Sequence, residues 1–208
     1  MILKARHHPF IYPFFNWYTR WKLSGKFHSV HISGDFDEQH LPVLLISNHI
    51  SWWDGFWVNY LNLRVFKRKF HFMMLESQLK KYAFFNKTGG YSVKKGNRSI
   101  LESLFYSAEI LSDPGNIVLL FPQGKIQSIY SSTFLFEKGI SKILELVKNR
   151  IQIMLIVNMI DYFSQPKPSL YMYFKEYKKE NVDIQCLQDE YNHFYSSCIF
   201  DQKQKAIL

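Results

Sequence analysis

LPVLLISNHISWWDGFW, Leu41 to Trp57, is the stretch from which the rest of the chain can be read. Leu41 to Ser47 is continuously apolar behind Pro42, too short for a core helix and without the alternation of a half-exposed strand. It reads as a strand buried on both faces. A short polar step, Asn48-His49-Ile50-Ser51, then leads into Trp52 to Leu63, which reads as a helix. A doubly buried strand feeding a helix is the opening unit of an α/β sheet. It puts His49 and Asp54 beyond a strand's carboxyl end, where open sheets take ligands.

Two readings of this step stand side by side. In one, His49 and Asp54 are a catalytic pair; in the other, the segment is aromatic core with polar punctuation. On a single helix, residues five apart lie about 140° from one another, so the two side chains meet only across a tight turn. With that turn, Asp54 accepts from one imidazole nitrogen and leaves the other as a base. Ser47 and Ser51 lie nearby, but neither sits in a G-x-S-x-G elbow. A dyad without its own nucleophile points to direct attack by a substrate hydroxyl. Trp52, Trp53, Phe56 and Trp57 read either as walls of an apolar ligand groove or as core.

Outward from this unit, strands and helices alternate. His28 to Ser33 alternates as an early strand, and Lys69 to Leu75 is a second buried strand. Glu76 to Phe85 is a short helix, Tyr91 to Lys94 a short strand and Arg98 to Ser112 a helix. Asn116 to Phe121 is a further apolar strand and Glu137 to Lys148 a helix. Ile151 to Ile160 is again an apolar strand, Ser169 to Lys175 alternates as an edge strand, and the stretch from Asp183 is helical. The fold class is therefore α/β: a single domain with a mixed, largely parallel central sheet flanked by helices.

Composition narrows the function classes. The 208 residues suit one domain, and 47% apolar content excludes disorder. Two cysteines make neither a disulfide framework nor a four-ligand zinc site, and no metal-ligating set is read. No run reaches the roughly 18 apolar residues of a membrane span. Net charge is +9, unevenly spread: residues 61–100 hold ten Lys or Arg and one acid, Glu76. Residues 9–21, PFIYPFFNWYTRW, are aromatic with basic neighbours, as suits the lipid headgroup interface or a helix laid on the domain. No helix-turn-helix, RNP or zinc motif supports a nucleic-acid partner, and none is expected.

Two more loops follow apolar strands or open helices. Phe121-Pro122-Gln123-Gly124-Lys125 closes a strand, with Gly124 permitting close approach and Lys125 available to an anion. Gly89-Gly-Tyr-Ser-Val-Lys-Lys95, with Arg98 opening a helix, has the makings of an anion site.

In their order, these loops resemble the motifs of the glycerolipid acyltransferase family, which includes the lysophosphatidate acyltransferases. The N-H-x4-D motif is Asn48-His49-ISWW-Asp54. The G-x-x-F-x-x-R motif keeps Gly89 but has Ser92 and Lys95 at its Phe and Arg positions. F-P-E-G-T-R-S appears as FPQGKIQ, with Gln123 for the Glu and Ile126 for the Arg. Phe136-Glu-Lys-Gly139 resembles F-K-x-G, and Met154-Leu-Ile-Val157 the V-P-V strand without its proline. The resemblance spans roughly residues 28–165.

The resemblance implies a glycerol-3-phosphate acyltransferase-like fold, and acyl transfer from acyl-CoA or acyl-carrier protein to a lipid hydroxyl, with no bound cofactor. His49 would be the base and Asp54 its orienter. Asn48, Gly89, Lys95, Arg98, Phe121, Pro122, Gln123, Gly124 and Lys125 would contact substrate. Residues 1–27 would be a membrane-interface segment and 28–208 the acyltransferase domain, cytoplasmic and peripheral on the membrane. The default acceptor is lysophosphatidate or a similar lyso-lipid. The altered third motif leaves open a glycolipid, aminolipid or pigment acceptor, or a silent lipid-binding relative. A thioesterase is a further alternative.

Overall fold

A computed structural model describes residues 2–94, 99–179 and 182–205. The elements run α1 (Ile11–Lys26), β1 (Val30–Ser33), β2 (Val43–Ser47), α2 (Asp54–Arg64), β3 (Lys69–Leu75) and α3 (Glu76–Lys81). After a 3-10 turn (Ala83–Lys87) come β4 (Gly90–Val93), α4 (Ser99–Ile110), β5 (Asn116–Leu120), α5 (Gly139–Leu146), β6 (Gln152–Asp161), β7 (Ser169–Tyr177) and α6 (Ile184–Lys205). The strands form one sheet in the order β1-β7-β6-β2-β5-β3-β4. All pairings are parallel except β6 with β7. The chain is thus the single-domain α/β protein its patterning implies.

The sheet is covered on both faces, which is why its central strands carry no alternation. All five residues of β2 are buried. Val43 and Leu45 face one core with Phe15 and Leu23 of α1, Phe56, Trp57 and Leu61 of α2, and Leu79 of α3. Leu44 and Ile46 face the other, with Leu104 of α4, Ile140 and Ile143 of α5, and Leu187, Tyr191 and Tyr195 of α6. At roughly 1.5–3 kcal/mol for each large aliphatic side chain buried, these two layers are the main term holding the fold.

Two expectations are corrected. The strand over 169–175 is not an edge strand: β7 lies between β1 and β6, and Tyr171 and Tyr173, which look like exposed members of an alternating pattern, pack into the α6 side of the core. Phe56 and Trp57 do not wall a groove; both are core, while Trp52 is exposed.

Topology marks one crevice. From β2 the chain crosses through α2 to β3 on one side, whereas from β5 it crosses through α5 to β6 on the other. Because β2 and β5 are adjacent, their outgoing loops part above the gap between them, which is a switch point of the sheet.

Candidate active site

His49 and Asp54 meet at that switch point. His49 Nδ1 lies 2.8 Å from Asp54 Oδ2. The tight turn their spacing demands is built by Ser51 and by Asp54 itself. Ser51 Oγ accepts from Trp53 N at 3.1 Å, while Asp54 Oδ2 accepts from Ser51 N at 2.8 Å and Ile50 N at 2.7 Å. The turn ahead of α2 is thus closed from both sides, and the same carboxylate oxygen reaches the imidazole. The positive end of α2 adds to the preference for an anion there.

Asp54 has no exposed surface. Burial pushes its carboxyl above the ordinary range, and the opposing pull of His49 and of the Ser51 and Ile50 amides does not cancel that. With Nδ1–H donated to Asp54, Nε2 is the acceptor nitrogen. The His49 side chain keeps 21% of its surface, enough for a hydroxyl to reach it.

The loop after β5 holds His49 from the other side. The Phe121 ring stacks on the imidazole with centroids 4.0 Å apart and planes within 10°. Gln123 Oε1 accepts from His49 N at 3.2 Å, and Gln127 N donates to His49 O at 2.8 Å. Gly124 sits at φ 62°, with its N–H donating to Phe121 O, and makes the turn that folds this loop back. Pro122 is buried, its carbonyl accepting from Glu137 N. Lys125 is exposed.

Other expected contacts fall elsewhere. Asn48 is fully buried. Its amide gives Nδ2–H to Asn158 O at 2.9 Å and takes Asn158 N–H at 2.8 Å, extending the β2–β6 ladder by a side chain. Gly89 is not brought to the site: it precedes β4 at the amino end of that strand. At φ 106°, an added Cβ would lie 2.0 Å from Phe70 O and 2.8 Å from His7 Nε2. Its place there is set by close packing. Lys95 and Arg98 lie outside the described residues. Asn158 and Gln127 are positions the spacing of motifs does not single out; Asn158 is 110 residues from the group it holds.

Neither neighbouring serine is set up to attack. Ser47 is buried, its Oγ donating to Asn48 O and accepting from Asn158 Nδ2, and Ser51 Oγ is committed to Trp53 N. On the same end of the sheet, a cleft of about 400 Å³ is lined by Leu75, Glu76, Ser77, Lys80, Val93 and Lys94. A cleft of about 430 Å³ containing Asp35, Asp37 and Asp201 lies at the opposite end, since β1 and β7 run against β6 and β2.

A His–Asp hydrogen bond at the switch point of a largely parallel sheet, with both adjacent serines engaged, has the geometry of a general-base site. Residues 29–157, well over half of the chain, match the family model described as Acyltransferase, and the chain belongs to that family. The activity this supports is acyl transfer in general. No curated protein matches the chain.

Proposed function

We propose that the protein transfers an acyl chain from a thioester, acyl-CoA or acyl-carrier protein, to the hydroxyl of a lyso-lipid of the lysophosphatidate type. The observation that carries this is the His49–Asp54 dyad with both adjacent serines engaged. His49 Nε2 takes the acceptor's hydroxyl proton as its oxygen attacks the thioester carbonyl. Asp54 holds the imidazole tautomer and supports the imidazolium that forms. The tetrahedral intermediate collapses with C–S cleavage, and the imidazolium returns its proton to the leaving thiolate. No acyl-enzyme is formed.

The place of action is the cytoplasmic face of a membrane, reached peripherally. No helix of the described residues is long and apolar enough to cross a membrane. α1 buries Phe15, Thr19 and Leu23 against the domain and exposes Phe14, Trp17 and Trp21, with Phe10 just ahead of it. Arg20, Lys22 and Lys26 lie on the same helix, and residues 1–34 contain no acid. Interfacial aromatics beside uncompensated cations fit an anionic bilayer surface. Lys94 of the 400 Å³ cleft supplies charge for an anionic headgroup, while Lys80 there is paired with Glu76.

The test is free-thiol release from acyl-CoA and acyl-carrier protein, with and without lyso-lipid acceptors in micelles, for wild type and His49→Ala. Release that needs the acceptor and is lost in the variant is expected. Acceptor-independent release lost in the variant would replace transfer with thioester hydrolysis. A folded, vesicle-binding protein that releases no thiol with any pair would overturn the catalytic reading.

A further inference from the structure

We propose that Gln123 is a positioning residue for His49 that works through the histidine backbone and does not bind substrate. This rests on His49 being the general base. Gln123 is only 4% exposed, and both ends of its amide are used within the protein. A backbone N–H can be met only by the carbonyl end, so the bond from His49 N to Oε1 fixes the amide's orientation. Nε2 then faces Gln127 Oε1 at 3.3 Å. Gln127 closes the loop by donating its own N–H to His49 O.

His49 is thereby held at its amide, its carbonyl, one ring face and Nδ1. The loop after β5 takes its amide through Gln123, its carbonyl through Gln127 and its ring face through Phe121; Asp54 takes Nδ1. Nε2 takes no hydrogen bond from the described residues and is left for a substrate. A glutamine suits the buried post because one neutral group accepts from His49 and donates to Gln127. A carboxylate would satisfy only the first of these and would set a second negative charge near the imidazole. Since a misplacement of about 1 Å of a reacting group can cost about 100-fold in rate, a clamp on the backbone is a rate device.

The experiment uses the full chain as wild type, Gln123→Leu, Gln123→Glu and His49→Ala. Thiol release from acyl-CoA with a lyso-lipid acceptor is followed across pH. Gln123→Leu is expected to lower kcat by about 10- to 100-fold, as loss of an orienting partner does, with KM for both substrates unchanged. Gln123→Glu keeps an acceptor and is expected to recover most of kcat. The acid limb of its pH profile should move to higher pH, because a nearby carboxylate favours the imidazolium. A raised KM for the acceptor with kcat intact in Gln123→Leu would overturn the inference and make Gln123 a substrate contact. Should Gln123→Leu fail to fold, an unmoved acid limb in Gln123→Glu overturns it equally.

Activity retained in His49→Ala would instead sink the general-base reading. The positioning itself is then still read from the imidazole nitrogen signals of His49 in the free protein, identified by their loss in His49→Ala. They are expected to change in Gln123→Leu; unchanged signals would overturn the inference whatever the assay gives.

Discussion

Acidification from pH 7 to pH 5 should cost the fold about 2 kcal/mol through His71 alone. His71 lies in β3 and is 5% exposed, its ring 4.6 Å from that of His7. Burial lowers its pKa from the ordinary 6.5 to about 3, with the neighbouring His7 and Lys69 adding to the effect. The unfolded chain therefore binds the proton between pH 6.5 and 3 while the folded chain does not. Stability is complete above 6.5 and falls as pH drops through that window. At about 1.4 kcal/mol per pH unit, the difference accumulated by pH 5 is about 2 kcal/mol.

His7 contributes in the same direction, since burial lowers its pKa too. His7 Nε2 donates to Phe70 O at 2.9 Å, and Arg6, His7 and His8 are laced to residues 86–89. The stability at stake thus includes the docking of the N-terminal segment. The assay is urea unfolding of wild type and His71→Gln at pH 7 and pH 5; subtracting the variant removes the carboxylates common to both. Wild type should lose about 2 kcal/mol relative to the variant on acidification. A difference that stays flat with pH would refute the reasoning.

Asp54→Asn is expected to lower kcat about 10³- to 10⁴-fold, the scale of losing the carboxylate that fixes an imidazole tautomer, without lowering stability at pH 7. Because burial raises the Asp54 pKa, its ionisation opposes folding: its contribution is intact below the ordinary carboxylate range and lost as pH rises through the folded value. Denaturant midpoints at pH 4 and pH 7 check this, and a variant much weaker at pH 7 would contradict it. Gly89→Ala should destabilise by more than about 2 kcal/mol in urea unfolding, since its Cβ meets the Phe70 carbonyl and its φ is left-handed. Replacing Trp17 and Trp21 by Ala should leave unfolding within about 0.5 kcal/mol but weaken binding to anionic vesicles at least about tenfold. A third of a tryptophan's surface leaving water is worth more than about 1 kcal/mol, so equal vesicle binding would show that α1 does not meet the bilayer.

Much of this architecture is legible in the chain because its central strands are buried on both faces. VLLIS of β2 and NIVLL of β5 read as strands by apolar continuity alone, and the residues following them form the candidate site. The His49–Asp54 pair is legible as a spacing that requires a turn, and Ser51 supplies it. β7 is misplaced at the edge because tyrosine is ambiguous: alternating Tyr171 and Tyr173 look half-exposed until α6 covers them. The partners of Asn48 and of His71 are not legible, because Asn158 and His7 are brought in by sheet pairing and by the N-terminal segment. No local pattern marks such contacts.

The C-terminal helix limits how far the family-matching segment can be treated as a module. α6 lies beyond the residues that match the family, yet Tyr191 gives its hydroxyl proton to Ile156 O, and Gln188 and Asn192 accept the amides of Phe136 and Phe134. Residues 29–157 expressed alone would keep α4 and α5 on that face of the sheet but lose the part α6 covers, and would leave the amides of Phe134 and Phe136 without their partners. A graft, a fragment screen or a domain swap has to keep α6, and cannot stop where the recognisable motifs do.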